Sequence, residues 1–297
     1  MSALDNVLHG AIDMHCHSGP SPFPRRIDHA EAARSASGAG MRAIVVKSHH
    51  HNTVMDVRAM APWALQDVDV QVFGGIALNS HVGGLNPHAV ELSLRLGGKV
   101  VWFPTISASQ HQEHQAAHPD LKFPKAFVPL SAPGRLDIVN EAGDVKPEVH
   151  QILEIIKESG AVLAGGHMAP DQIRVLLETA RDAGLTRLLV NHPEYVIEAG
   201  ADDIAYFAEL GAVIEHSLCM YDEDSTFYHW DIGELIKWIE LVGPERTSLG
   251  SDLGQDNNPL PVESFRKICG RLLDSGIPER DVKTMVSGNP ARLLGLE

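Results

Sequence analysis

Short runs of apolar and β-branched residues alternate with amphipathic segments along the whole chain. Between the runs, apolar residues recur three and four positions apart, as at Ile173, Leu176, Leu177 and Ala180, which is the spacing of a helix with one buried face. The pattern predicts parallel strands joined by crossover helices. The eight predicted strands cover residues 11–17, 42–49, 70–79, 99–107, 161–168, 187–192, 212–220 and 247–252.

Eight strand–helix units close most economically into a (β/α)8 barrel of the TIM type, and an open doubly wound sheet is the alternative. One segment interrupts the alternation: residues 108–146 follow the fourth strand as a lid-like insertion. A connection of that length is typical of a lid or a binding loop, and residues 138–145 within it resemble a small hairpin. We expect the histidines of this insertion, His111, His114 and His118, to be exposed rather than to bind an ion.

Length and composition narrow the classes of function. The chain has 297 residues, enough for one large core, so we expect a single domain over 1–297. It contains 24 lysines and arginines and 39 aspartates and glutamates, so its formal net charge is −15. This negative charge disfavours nucleic acid and anionic membrane surfaces as partners. We therefore expect a small-molecule substrate, and the sequence leaves a homo-oligomer open.

The chain carries no sequence signal for export or for a membrane anchor. The three cysteines lie far apart without a paired spacing, which argues against a disulfide framework or a thiolate zinc site and predicts a reducing, cytoplasmic location. No apolar run approaches the roughly 18 residues that a membrane span requires. The sequence contains no glycine-rich phosphate-binding motif, so we expect no nucleotide cofactor.

Histidine is the outlier of the composition, with 17 residues, and it is the commonest side-chain metal ligand. The first predicted strand ends Asp13-Met14-His15-Cys16-His17. Residues two apart in a strand point to the same side, so His15 and His17 can bind one ion, whereas Cys16 faces the opposite side.

Matching side chains stand at the C-terminal ends of three other predicted strands. His167 ends the fifth, His192 the sixth and Asp252 the eighth. Active sites of these barrels lie at the C-terminal ends of the strands. Imidazoles combined with one carboxylate, with a position left for water, are typical of a hydrolytic zinc site.

With these residues the sequence resembles the amidohydrolase superfamily of metal-dependent hydrolases, in its phosphotriesterase and dihydroorotase-like branches. The resemblance covers nearly the whole chain, because residues 287–295, Ser-Gly-Asn-Pro-Ala-Arg-Leu-Leu-Gly, are similar to the C-terminal Asn-Pro-Ala-x-x-Leu-Gly signature of those branches. It implies a divalent ion, zinc above all with manganese or cobalt as alternatives. The implied roles are as follows: His15, His17 and Asp252 bind one ion, His167 and His192 bind a second or share metal and substrate contacts, and Asp252 accepts the proton of the attacking water.

The sequence departs from the superfamily pattern at the fourth strand, which carries no bridging carboxylated lysine or glutamate at its C-terminal end. Lys99 stands at the opposite end of that strand, whereas Lys47 stands at the C-terminal tip of the second strand. Three interpretations of Lys47 stay open: an ammonium that binds a substrate carboxylate or a developing oxyanion, a carbamate that bridges two ions, or a solvated lysine.

Four further polar residues near strand ends are candidate substrate contacts. His49 is favoured over its neighbours because it shares the strand parity of Lys47. The other three follow the third strand or lie in the seventh: Asn79, His81 and His216.

The resulting hypothesis is a metal-dependent hydrolase that uses a metal-activated water to open a small cyclic amide, lactone or ester. The alternative is a one-metal decarboxylase in which His167 joins the three ligands of the first ion and His192 manages protons. A ligand-binding barrel without catalysis is the third possibility. Selection of the substrate is expected to lie in the loops 18–26 and 108–146.

Overall fold

Eight parallel strands form one sheet in which each strand pairs with the next along the chain, in the order β1 to β8. The structure, a computed structural model, describes residues 2–121 and 123–297. Each strand lies inside the run predicted for it. The strands are β1 Ile12–Cys16, β2 Ala43–Val46, β3 Gln71–Ala77, β4 Val100–Trp102, β5 Val162–Ala164, β6 Leu188–Asn191, β7 Val213–Ser217 and β8 Thr247–Gly250.

The first and last strands meet, so the sheet curls into a barrel. Cys16 and Leu253 form a parallel bridge, and the backbone N–H of Asp252 donates to the carbonyl of His15 at 2.7 Å. The predicted (β/α)8 barrel is confirmed, and the open doubly wound alternative is wrong because an open sheet would leave these two edges apart.

Helices follow the strands and cover the outside of the barrel. In α7, for example, Ile173, Leu176, Leu177 and Ala180 are all buried, as their spacing predicts. The helices are α1 Ala3–Leu8, α2 His29–Gly38, α3 Thr53–Met60, α4 Pro87–Arg95, α5 Ser109–Ala117, α6 Pro147–Ser159, α7 Pro170–Asp182, α8 Ala201–Glu209, α9 Ile232–Val242, α10 Pro261–Asp274, α11 Glu279–Lys283 and α12 Asn289–Leu294. Among the residues described, no helix combines the length and apolarity needed to cross a membrane.

Apolar side chains fill the barrel interior, and α12 belongs to the same cluster. Trp102, Met14 and Leu189 pack inside the barrel together with Leu293 of α12. Asn289, in the motif near the C-terminus, donates from its side-chain amide to the carbonyl of Thr247 at 2.6 Å, at the start of β8. The motif thus fastens α12 to the N-terminal end of the barrel. The polar site must therefore lie at the other end, where the strands finish.

The segment 108–146 contains a helix, α5, where the sequence pattern predicted a loop. Beyond α5 it is irregular apart from two isolated bridges: a parallel one between Leu136 and Ala108, and an antiparallel one between Val139 and Val145 at the predicted hairpin. Within this segment, only residue 122 lies outside the described part of the chain. The expectation that its histidines are exposed is wrong for His111 and His114, which are buried, and correct for His118. The physical reason is their spacing, because residues three apart share one helix face, and this face packs against the protein.

Candidate metal centre

His15, His17 and Asp252 meet at the C-terminal end of the barrel. Asp252 Oδ1 lies 3.2 Å from His15 Nε2 and 3.1 Å from His17 Nε2. The other ring nitrogen of each histidine is occupied: His15 Nδ1 lies 2.8 Å from Glu215 Oε1, and His17 Nδ1 lies 3.1 Å from the carbonyl oxygen of Lys47. Both Nδ1 atoms act as donors in these contacts, so both Nε2 atoms direct their lone pair toward the centre, where a metal ion could bind.

Two residues of the site have an unusual backbone conformation. His192 has φ 32° and Asp252 has φ 53°, in the left-handed region that residues other than glycine rarely adopt. Such strain costs about 1–3 kcal/mol and persists only where surrounding contacts enforce it. Here the N–H of His192 donates to the carbonyl of Glu215 at 2.6 Å, and Gly254 supplies a close turn in which a Cβ would meet the carbonyl oxygen of His17. These contacts hold the sharp turns that follow β6 and β8.

Lys47 is buried inside the site. Its Nζ lies 3.0 Å from His15 Nε2 and 5.4 Å from the centre of the Trp102 ring. Burial lowers the pKa of Lys47 to about 8, although Asp252 and Glu215 favour the charged form. The interpretation of Lys47 as a solvated lysine is therefore wrong, because water does not reach this amine. The ammonium and the carbamate both stay open.

Glu215 in β7 is a member of the site that the sequence analysis missed. Its carboxylate is fully buried, and Oε1 accepts from Asn191 Nδ2 at 2.6 Å as well as from His15 Nδ1. Burial raises the pKa of Glu215 to about 7. The available signal was a glutamate in the middle of a buried strand, but its partner His15 is 200 positions away in the chain.

Glu215→Gln is expected to weaken metal binding by about 10- to 100-fold, the usual effect of losing a carboxylate that supports a ligating histidine. Glutamine keeps the size of the side chain and removes the negative charge that makes His15 a stronger ligand. The measurement is a zinc titration against a chromophoric chelator. Glu154→Gln, at an exposed position of α6, is the matched control. Equal affinities of the two variants would show that Glu215 has no influence on the ion.

His167 and His192 complete the arc of imidazoles. His192 Nε2 lies 3.9 Å from Asp252 Oδ2, and the His167 and His192 rings are 4.9 Å apart at their centres. His167 Nδ1 lies 2.9 Å from Nδ1 of His111, a contact that the sequence analysis did not foresee. His167 Nε2 and His192 Nδ1 are buried without a protein partner. Buried nitrogens of this kind are free to bind an ion or a substrate.

A cavity lies over this centre, and both expected specificity loops contribute to it. His17, Lys47, His49, His167, His192 and Asp252 line its polar part. Phe23 and Arg25 from the loop 18–26, and Phe123 and Pro124 from the segment 108–146, line it as well. The remaining wall is mostly apolar and includes Tyr195, Met220 and Phe227.

The four expected substrate contacts divide between different places. His49 lines the cavity, and its Nδ1 lies 2.8 Å from Thr105 Oγ1. Asn79 lies behind it and uses its amide to bind Thr105 and the His49 carbonyl. His81 lines a neighbouring cavity.

His216 does not line the main cavity, because alternate side chains of β7 face opposite ways and Glu215 is the inward one. Instead, His216 Nδ1 lies 2.9 Å from Glu194 Oε1. Of the four residues, only His49 lines this cavity, and contact of Asn79, His81 and His216 with a substrate stays a prediction.

Comparison with known proteins supports the fold and leaves the activity open. The sequence model of a protein family, described as a family of unknown function (DUF6282), matches residues 10–215. The comparison with curated proteins found no match. An amidohydrolase from Pseudomonas aeruginosa is 12% identical with a TM-score of 0.64, covering 99% of this chain and 98% of its own. A lactonase from Listeria monocytogenes is 13% identical with a TM-score of 0.65, covering 97% and 95%.

A third solved structure, a putative 2-pyrone-4,6-dicarboxylic acid hydrolase from Pseudomonas putida, is 18% identical with a TM-score of 0.55, covering 97% of this chain and 98% of its own. At identities this low the likeness shows a shared fold alone. The three structures confirm the fold that the resemblance to the amidohydrolase superfamily implies.

Proposed function

The chain belongs to the DUF6282 family, whose function is unknown, and from its site we propose that it is a metal-dependent hydrolase that opens a small cyclic lactone, ester or amide. The observation that carries the proposal is the convergence of His15 Nε2, His17 Nε2 and Asp252 Oδ1 at the cavity. The solved structures described as a lactonase and a pyrone dicarboxylic acid hydrolase support the lactone within this class.

The donor set suits a divalent transition ion. Imidazole and carboxylate ligands favour zinc, with manganese and cobalt as alternatives, and the buried, unpartnered Nε2 of His167 offers one further ligand atom. An ion bound there would polarise the scissile carbonyl and lower the pKa of a water molecule towards about 7. His15 and His17 would hold the ion through Nε2, because their Nδ1 atoms are already engaged.

Asp252 is placed to accept the proton of the attacking water. Burial opposes its ionisation, but His15, His192 and Lys47 outweigh this effect and lower the pKa of Asp252. The carboxylate is therefore ionised near neutral pH and can act as a base. Ser217 Oγ donates to Asp252 Oδ2 at 3.1 Å and fixes its orientation. If the centre holds one ion, His192, whose Nε2 lies 3.9 Å from Asp252 Oδ2, is placed to pass a proton to the leaving group.

Arg25 favours a substrate that carries a carboxylate. It lines the cavity, and no carboxylate of the described residues forms a salt bridge with its guanidinium. Burial lowers the pKa of Arg25 to about 10, although Asp252 favours the charged form. The aromatic walls formed by Phe23, Phe123 and Phe227 suit a flat, compact ring. We infer that the substrate combines a small apolar ring with an anionic group that pairs with Arg25.

Arg25→Gln is expected to raise KM for a carboxylate-bearing substrate by about 10- to 100-fold, the value of one charged hydrogen bond of about 1.5–3 kcal/mol, with a smaller change in kcat. For a neutral ester or amide of the same substrate, the KM should rise much less. Arg34→Gln, at an exposed position of α2, is the control. Equal losses for the charged and neutral substrates would contradict the pairing.

Metal analysis combined with a substrate panel tests the proposed activity. The chain is purified without an affinity tag, stripped with a chelator and assayed on lactones, esters and cyclic amides with and without a carboxylate. Restoration of hydrolysis by zinc, manganese or cobalt supports the proposal. A stripped protein that binds none of these ions, and gains activity from none, would contradict it.

A one-metal decarboxylase is the second candidate, because within the barrel mouth the described residues bring only one set of three donors within 4.8 Å of one another. The same panel then includes aromatic carboxylic acids, with released carbon dioxide as the readout. Release of carbon dioxide without hydrolysis of any lactone, ester or amide would favour this candidate.

We also propose a cytoplasmic location. Cys16, Cys219 and Cys269 are all buried and unpaired, which is the state that a reducing compartment maintains. Mass analysis of the purified protein under non-reducing conditions should find three free thiols after unfolding.

A further inference from the structure

A second group of metal-capable side chains lies outside the barrel centre, and the proposed activity does not use it. His114 belongs to α5, His118 follows the end of that helix, and Glu198 lies in the loop after β6. Each offers one ligand atom, and the three atoms lie within 4.8 Å of one another. His114 Nδ1 lies 2.6 Å from Glu198 Oε1, and the two imidazole rings are 4.5 Å apart at their centres.

The local structure presents these groups together for identifiable reasons. Residues four apart on a helix share one face, so His118 stands one turn beyond His114. His118 Nδ1 donates to the carbonyl of His114 at 3.0 Å, which leaves its Nε2 lone pair free. Glu198 has φ 58°, a left-handed conformation that glutamate rarely adopts and that costs about 1–3 kcal/mol. This strained turn lies where the carboxylate meets the histidines.

An ion pair alone does not account for the arrangement. A pair between His114 and Glu198 needs neither the second imidazole nor a strained backbone at the carboxylate. Donors bound to one zinc ion at about 2.0–2.1 Å lie about 3.3 Å apart in a tetrahedron. The observed 2.6 Å contact must therefore open by less than 1 Å, and the other donor distances, at most 4.8 Å, must close by no more than about 1.5 Å. The half-exposed side chain of Glu198 and the exposed His118 can make these movements.

We propose that His114, His118 and Glu198 form a peripheral site for a divalent transition ion of the zinc class, with water as the fourth ligand. Two imidazoles and one carboxylate match the ligand preference of zinc and disfavour magnesium and calcium, which select oxygen ligands. The site is independent of the metal centre in the barrel.

Such an ion would clamp α5 to the loop after β6. Gln110 of α5 already donates to the carbonyl of Val196 at 3.2 Å, and Val196 lines the cavity. On the same helix, His111 contacts His167 of the barrel centre. The peripheral ion would thus stabilise two elements that shape the cavity wall.

Zinc titration of the tag-free, metal-stripped chain against a chromophoric chelator tests the site. His118→Ala and Glu198→Gln should each abolish zinc binding at the peripheral site or lower its zinc affinity by at least about tenfold. Even the loss of a residue that only supports a metal ligand lowers metal affinity by about 10- to 100-fold. Both side chains are exposed, so the fold should survive. His150→Ala, an exposed histidine of α6, is the matched control and should keep every site.

The His17→Ala background separates this site from the barrel centre. There, zinc should still slow hydrogen exchange at the α5 amides, and the additional His118→Ala change should abolish that protection. If His118→Ala and Glu198→Gln both bind zinc with the stoichiometry and affinity of His150→Ala, the peripheral site does not exist, whatever His17→Ala does. A failure of the barrel centre would show instead as unchanged zinc binding in His17→Ala alone.

Discussion

Asp252→Asn is expected to lower kcat by about 10²- to 10⁴-fold, the contribution of a general base, in enzyme that still carries its ion. Asparagine keeps an oxygen that can face the ion and removes the group that accepts the proton. It also tolerates the left-handed conformation of this position, φ 53°, better than most residues do. The variant should therefore fold normally and fail in chemistry.

The measurement has to separate loss of the base from loss of the ion. Rates are compared at saturating zinc, with the bound metal determined on the same samples. Asp182→Asn, at the exposed end of α7, controls for the change of charge. A fully loaded Asp252→Asn protein with the parent kcat would remove Asp252 from the role of base and would transfer that role to another group at the centre, such as His192.

The barrel was predictable because eight short apolar runs alternate with amphipathic segments along the chain. Every residue of β1 is buried, and residues two apart in a strand point to the same side, so a local pattern was enough to pair His15 with His17. The predicted strand ends were less accurate. The run 99–107 stays apolar beyond Trp102, yet the chain leaves the ladder there, and the N–H groups of Thr105 and Ser107 bond to the side chain of Asn79 instead.

The sequence analysis missed other residues of the site for a different reason. Their contacts join parts of the chain that are far apart in sequence. Glu215 of β7 supports His15 of β1 across the intervening β8. Which of Glu215 and His216 faces the centre becomes clear only when the position of one of them is known. The helix α5 is mostly polar, so its sequence showed no apolar face from which burial could be predicted. The structure shows that its buried residues are His111 and His114. Arg25 became informative only when the structure placed it in the cavity without a salt bridge to a carboxylate of the described residues.

Lys47→Ala is expected to lower activity by more than about 100-fold, since even an outer partner of a metal ligand is worth about 10- to 100-fold. The structure gives the reason. Nζ lies 3.0 Å from the Nε2 atom of His15 that would bind the ion, and an ammonium at that place would compete with a cation for the same lone pair. Burial lowers the pKa of Lys47 to about 8, so a larger fraction of this lysine is neutral than of an exposed lysine.

A neutral amine at this position can add to carbon dioxide and release one proton to become an anionic carbamate, the form we propose for Lys47 in the metal-loaded enzyme. The carbamate would supply anionic oxygen ligands to the centre, and His167 and His192 would hold a second ion. Lys47→Ala should then bind less metal and recover part of its activity with added short carboxylic acids. Lys47→Arg keeps the positive charge and cannot form the carbamate, so it should behave like Lys47→Ala without the rescue. Full metal loading and substantial activity in Lys47→Arg would instead assign Lys47 as an ammonium beside a single ion, because only the charge would then matter.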